Sequence, residues 1–281
     1  MKFNVFIFLI SIFSSSIALS SEVKMVKTEI AEVAVYGEVS KEKETIVFLH
    51  GVFLSHHIWD DYASHFKDRF NVVSLDWHGH GASTSSSRPW SLEDSVQVLN
   101  VIFESLSIDR AILVGHSWGG MAALRFADAY PEKVKTLVLY NTPLARLSKR
   151  SRLLQRLQKI ALPLKSFYGK QAAQNIYSPD SLKKNPSWIE EVVNHFKSRS
   201  VTESRRVIKA VLLDAEDSFS LVDSLKVPSF FVVGKDDYVY QSYLANGNSG
   251  VLDRLHVISG GHVSSRESAQ EGIALLKSFI E

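Results

Sequence analysis

The stretch Ala111-Ile112-Leu113-Val114-Gly115-His116-Ser117-Trp118-Gly119-Gly120-Met121-Ala122-Ala123-Leu124-Arg125-Phe126-Ala127 runs from an apolar strand pattern into a helical one through a pentapeptide centred on serine. A strand that reverses sharply into a helix strains its turn residue and lifts that side chain above the sheet edge. Gly115 and Gly119 flank Ser117 at positions where a Cβ would collide across such a turn. The helix that follows aims free backbone N–H groups at the same point, which favours negative charge there. Two glycines around a serine arise readily by chance. The strand before and the helix after make Ser117 a candidate nucleophile.

Outward from that turn, strand and helix patterns alternate. Val23 to Val39 reads as two short strands meeting near Tyr36-Gly37, and Thr45 to Leu49 is a continuous apolar run of the kind buried on both faces of a sheet. Helical spacing follows over Ile58–Phe66, a strand over Asn71–Leu75, a helix over Leu92–Leu106 and a strand over Lys133–Tyr140. This alternation implies an α/β fold with a mostly parallel sheet and right-handed crossovers. It stops at Pro143 and resumes with the strand Ser229–Val233, the strand Leu255–Ile258 and a final helix over Ser265–Ile280. The residues between, with amphipathic stretches at Leu153–Leu162, Trp188–Phe196 and Val201–Leu213, are too many for a loop in a compact domain. The expected organisation is a core of residues 21–143 and 226–281 with a helical cap, or lid, over 144–225.

Lys2, the apolar run Phe3–Phe13 and the small residues ending at Ala18-Leu19-Ser20 have the layout of a secretory signal peptide over residues 1–20. The run is too short for a membrane span, which takes roughly 20 apolar residues. The expectation is an exported protein, periplasmic or secreted, with cleavage near Ala18 or Ser20. The chain has no cysteine, which excludes disulfides, a thiol nucleophile and thiolate metal sites. A net charge of +2 gives no reason to expect nucleic acid as a partner. From Arg146 to Lys226, however, 16 Lys/Arg stand against 8 Asp/Glu, and such a basic cap fits a solvated face or a weak membrane-surface contact.

A serine hydroxyl needs a base to take its proton, and the base needs an orienting acid. Gly234-Lys235-Asp236-Asp237 follows one late strand and Gly260-Gly261-His262 follows the last, so both turns open at the same sheet edge as Ser117. Four stretches together resemble the α/β-hydrolase superfamily: Leu49-His50-Gly51 with Trp59, Asp76-Trp77-His78-Gly79-His80-Gly81-Ala82-Ser83, the elbow Gly115–Gly119, and Gly234-x-x-Asp237 with Gly261-His262. The nucleophile–acid–histidine order agrees with that family. The resemblance implies an eight-stranded sheet with helices on both faces and a Ser117–His262–Asp237 triad. Asp236 is the rival acid, and Asp237 holds the family's position. It further implies an oxyanion hole from the backbone of Trp118 and of Val52, with Phe53 the alternative. His50 is read as support for that loop. His78 stands where many relatives carry Arg or Pro.

The implied activity is a serine hydrolase acting on a small or medium carboxylic ester through an acyl-enzyme, with no cofactor. Lactonases, amidases, aminopeptidases and carbon–carbon bond hydrolases share the fold, and a ligand-binding receptor without turnover is the alternative class. Dehalogenases and epoxide hydrolases of the superfamily carry aspartate at the elbow, where this chain has Ser117. His56, His57, His78 and His80 are not expected to bind a metal: adjacent histidines on a loop do not readily share one ion, and no carboxylate lies at the spacing of helical zinc motifs. Of the cap aromatics Phe167, Tyr168, Tyr177, Trp188 and Phe196, most are expected to pack and one or two to touch substrate.

Overall fold

Strands that are apolar without interruption form the middle of the sheet. Thr45–Leu49 (β3), Ala111–His116 (β5) and Val134–Tyr140 (β6) are buried along nearly their whole length. Successive side chains point to opposite faces, so burial of every residue means that both faces are covered. The computed structural model describes residues 23–247 and 249–281, and the expected signal segment lies outside them.

The other strands are Lys24–Lys27 (β1), Glu32–Tyr36 (β2), Asn71–Leu75 (β4), Ser229–Gly234 (β7) and Leu255–Ile258 (β8). They assemble into one eight-stranded sheet of order β1-β2-β4-β3-β5-β6-β7-β8, in which β2 pairs antiparallel with both β1 and β4 and the other pairings are parallel. The first hairpin turns earlier than its sequence suggests. Thr28 closes the turn by bonding Ala31 through both its N–H and its hydroxyl, at 2.9 and 2.7 Å, whereas Tyr36-Gly37 is the exit from β2. Gly37 there takes φ 103°, a left-handed value, with Val72 packed against its Cα.

In the core, helices Asp60–Phe66 (α1), Leu92–Ser105 (α2) and Trp118–Ala129 (α3) follow β3, β4 and β5. Asp94 in the first turn of α2 accepts from the Ser91 N–H at 2.8 Å, which fixes that helix start. Between β6 and β7 lie Lys149–Gln158 (α4), Lys165–Ile176 (α5), Pro179–Lys184 (α6), Ser187–Ser198 (α7), Val201–Val207 (α8) and Phe219–Ser224 (α9). Three amphipathic patterns in this insertion understate its helix content, because α5 carries a weak pattern with Gly169 on its buried side. Tyr238–Asn246 (α10) and Ser249–Leu252 (α11) precede β8, and Ser264–Glu267 (α12) and Ala269–Ile280 (α13) follow it. Since β3 to β8 run parallel, the turns after β3, β4, β5, β6, β7 and β8 emerge at one edge.

Candidate active site

Ser117 stands between β5 and α3 with φ 51° and ψ −113°, a conformation that costs an L-residue of order 1–3 kcal/mol. The ladder holds it there: its N–H donates to the Tyr140 carbonyl at 3.0 Å, and its carbonyl accepts from Met121 at 2.9 Å. A Cβ on Gly115 would lie 2.6 Å from the Gly119 backbone, so the two flanking glycines let strand and helix approach. The side chain is buried at 5 % exposure, and its Oγ lies 2.9 Å from His262 Nε2.

His262 Nδ1 is 3.0 Å from Asp237 Oδ2. A carboxylate only accepts, so Nδ1 carries the proton and Nε2 presents its lone pair to the serine hydroxyl. Asp237 is buried in the turn after β7, whereas Asp236 beside it is exposed. Burial raises the Asp237 pKa, but the His262 charge, the bonds from His262 and Asn141 and the Val239 N–H outweigh it and hold the carboxyl below its ordinary value. Asn141 was not singled out in the sequence. It is buried with φ 47° directly after β6, and its Nδ2 donates to Asp237 Oδ2 at 2.7 Å and to the Gly261 carbonyl at 3.1 Å. Its Oδ1 accepts from Ser264 Oγ at 2.5 Å, so one side chain ties the acid turn to the histidine turn. The available signal was a polar residue ending an otherwise apolar strand at the edge that carries Ser117.

The loop after β3 lies against the nucleophile. A Cβ on Gly51 would stand 2.6 Å from His116 Nδ1 and 3.0 Å from Ser117 Cβ, so only glycine permits this approach. Phe53 has φ 64°, and its N–H donates to His80 Nε2 at 3.0 Å, which removes it as an oxyanion donor. Among the described residues the Val52 N–H has no partner. Trp118 opens α3, where a helix leaves its first N–H groups unpaired. Both N–H groups are therefore free among the described residues, and Gly51, next to Val52 in the chain, packs against Ser117.

His50 and His116 near the site are buried, and a hydrogen-bond partner sets the tautomer of each. His50 Nδ1 donates to the Gly51 carbonyl at 2.7 Å and Nε2 accepts from the Trp77 N–H at 2.9 Å; burial lowers its pKa to about 4, against the pull of Asp76. His116 Nε2 donates to the His262 carbonyl at 2.7 Å, and burial, with the nearby His262 charge, lowers its pKa to about 3. His78 differs: both ring nitrogens lack partners among the described residues, and the ring lies edge-on to Trp90 at 4.2 Å and Trp118 at 5.2 Å. Asp76 is also fully buried. It accepts from Tyr36 Oη, His56 N, His56 Nδ1 and Ala82 N at 2.8 to 3.0 Å, which outweighs burial and holds it well below the usual carboxylate range.

The insertion is fastened to this edge at two places. Arg199 bonds the Ser83 and Gly81 carbonyls, Arg206 bonds the Ser86 carbonyl, and buried Glu203 accepts from Ser86 Oγ at 3.0 Å. On the other side Glu267 accepts from the Ser178 N–H at 3.0 Å and from the Gly261 N–H at 2.9 Å, linking the insertion to the turn that carries His262. Phe196 packs 4.7 Å from Phe53 and 5.0 Å from Tyr168, and His195 sits 4.5 Å from His80. Tyr168 and Tyr177 are buried, Trp188 is half-buried, and Phe167 is exposed.

The adjacent histidines on the loop after β3 come closer together than their neighbouring positions suggest. The His56 and His57 rings lie tilted with centroids 4.0 Å apart, and with Asp60 they bring one ligand atom each within 4.8 Å of one another. Asp60 is the carboxylate that a search for helical zinc spacings passes over. Nδ1 of His56 is held by Asp76 and Nδ1 of His57 by Asp60, both at 3.0 Å, so these contacts already account for the grouping.

A serine, an aspartate and a histidine joined in one relay after β5, β7 and β8 of a mostly parallel sheet fit a hydrolase of the strained-elbow type. The chain belongs to the α/β-hydrolase fold family, whose model matches residues 44–264. It is 22% identical to 3-oxoadipate enol-lactonase 2 of Acinetobacter baylyi over 84% of this chain and 88% of that protein. Epoxide hydrolase 1 of Caenorhabditis elegans is 31% identical over 37% of this chain, a match spanning 26% of that protein's length. The structure of the carboxylesterase CesB from Bacillus subtilis superposes with a TM-score of 0.79, at 19% identity over 94% of this chain and 92% of that one; at that identity the likeness is one of fold.

Proposed function

We propose that the chain is an exported serine hydrolase that cleaves a small or medium carboxylic ester. The observation that carries this reading is the relay Ser117 Oγ, His262 Nε2, His262 Nδ1, Asp237 Oδ2, with spacings of 2.9 and 3.0 Å, beside two unpaired N–H groups. His262 takes the hydroxyl proton as Ser117 attacks the ester carbonyl. The oxyanion forms against Val52 N–H and Trp118 N–H, a contribution worth ~10²–10³ in rate per donor. His262 then passes the proton to the leaving alkoxide, which departs as the alcohol. Water, deprotonated by His262, attacks the acyl-enzyme, releasing the acid and restoring Ser117.

Residues 144–225 act as the cap. With Ser117 and His262 at 5 % and 8 % exposure, substrate entry requires the cap to give way. A lactone is the second substrate reading, favoured by the end-to-end match to an enol-lactonase. Labelling with a fluorophosphonate probe tests the chemistry: wild type is expected to react, and Ser117→Ala and His262→Ala are not. Full labelling of Ser117→Ala refutes the mechanism, and p-nitrophenyl esters of rising chain length against simple lactones then separate the substrates. Export is tested by cell fractionation and the N-terminal sequence of the mature protein, expected to begin just after Ala18 or Ser20.

A further inference from the structure

From Arg146 to Pro179 the chain carries eight Lys/Arg, at 146, 149, 150, 152, 156, 159, 165 and 170, and no Asp or Glu. The same stretch exposes Leu153, Leu154, Leu157, Ile160, Leu164 and Phe167, each between 49 % and 73 % accessible. No residue of α4 is buried. Single exposed apolar residues are ordinary, but six large ones within fifteen positions form a patch that marks an interaction site. Leu153 and Leu157 stand at i and i+4 on one side of α4, and Ile160 follows in the 3-10 turn Lys159–Ala161, while Arg152 and Arg156 take the same step along the flank of α4.

An apolar stripe bordered by cations, with no acidic residue to repel an anion, is the pattern of a helix lying in the plane of a lipid interface. We infer that α4 and the start of α5 dock the protein on an anionic bilayer surface. The apolar side chains enter the acyl boundary, and Lys149, Arg150 and Arg156 meet the headgroups. Charge selects this occupant: a stripe of leucines alone fits any apolar partner, whereas eight cations, of which Arg146 is paired with Glu216, fit a negatively charged plane. None of these residues belongs to the Ser117 relay, so the inference does not depend on which bond is cleaved.

The absence of cysteine allows a clean local probe. Ile160→Cys, and separately Lys184→Cys on α6, are made in the full chain and labelled with an environment-sensitive fluorophore. They are then mixed with vesicles of phosphatidylcholine alone or with 30 % phosphatidylglycerol, a composition of order typical for such assays. The label at 160 is expected to shift to the blue on the anionic vesicles only, while the label at 184 stays unchanged. Replacing Lys149, Arg150 and Arg156 by Gln is expected to weaken vesicle binding about 100-fold, from about tenfold per 1.4 kcal/mol and about 1 kcal/mol per cation. Leu153→Ser with Leu157→Ser is expected to abolish the shift while leaving fluorophosphonate labelling intact. The inference is overturned if position 160 stays in water on anionic vesicles, or if binding persists in both variants, which would place it in another segment. It is likewise overturned if sedimentation shows a dimer that Ile160→Glu dissociates.

Discussion

Acid should unfold this protein through its histidines. His50, His78, His80 and His116 are fully buried, and burial holds all four far below the ordinary value of 6.5, to about 4, 3 and 3 where a figure is resolved. The sign follows from linkage. Above pH 6.5 these rings are neutral folded or unfolded and contribute no pH dependence. As the pH falls below 6.5 the unfolded chain takes up protons that the folded one refuses, so stability is lost until the folded values are reached. Each ring costs about 1.4 kcal/mol at pH 5.5 and about 2 kcal/mol at pH 5, from 1.36 kcal/mol per unit. Four rings give about 6 kcal/mol at pH 5.5, against a total stability of about 5–15 kcal/mol. Asp76 and Asp237 do not blur this window. Their depressed values contribute stability that is lost only below the ordinary carboxylate range.

The assay is urea unfolding followed by tryptophan fluorescence at pH 7.5 and 5.5. With a denaturant slope near ~3 kcal/mol/M, the midpoint should fall by about 2 M. His78→Phe isolates one ring: it keeps the edge-on contacts with Trp90 and Trp118, loses no hydrogen bond and removes one titrating group. That variant should be more stable than wild type at pH 5.5 and lose about a quarter of the pH dependence. A midpoint that does not move between the two pH values refutes the reasoning, as does a His78→Phe chain with an unchanged slope.

Three further outcomes follow from the same geometry. Asn141→Ala removes a donor from Asp237 Oδ2, so kcat should fall roughly 10–100-fold with little change in KM, and the acid limb of the pH–rate profile should move upward. Gly51→Ala places a methyl group against His116 and Ser117 and displaces the Val52 N–H; kcat on an ester should drop by ~10²–10³ while the protein stays folded by circular dichroism. Glu267→Ala unpairs the Gly261 and Ser178 N–H groups, and calorimetry should show a loss of about 1–3 kcal/mol, a fall in Tm of several degrees.

The central strands and the elbow were legible because their signals are local. A run such as Ile112–Val114 before Gly115-His116-Ser117 carries its own burial pattern and turn chemistry. Asp237 could be preferred to Asp236 only by motif position, whereas in the structure one is buried against His262 and the other faces water. Asn141, Glu267 and His116 were not legible as parts of the site, since each bonds a partner 89 or more positions away. Glu267 reaches Ser178 across 89 positions of chain while also holding Gly261, and no periodicity encodes such a contact. The first hairpin was misplaced for the opposite reason: Gly37 advertises a turn, and Thr28, which makes one, looks like any strand residue.

The acid sensitivity and the catalytic geometry have one origin. His50, after β3, accepts from Trp77, after β4; His80, after β4, accepts from Phe53, after β3; His116, ending β5, donates to the His262 carbonyl, after β8. These imidazoles brace the loops that hold the proposed oxyanion donors and the proposed base, and a neutral ring suits the task because it offers one donor and one acceptor at a fixed angle. A lysine or a carboxylate in the same places would offer only one of the two and would bring an uncompensated charge next to Ser117. Protonation of His80 turns its Nε2 from acceptor to donor and sets it against the Phe53 N–H, one residue from Val52. Because the folded chain refuses that proton, His80 takes it up only as the fold opens, so the Phe53 amide should begin to exchange with solvent at the pH of global unfolding and not before; exchange that sets in at a higher pH would sever the link between these braces and the acid sensitivity of the fold.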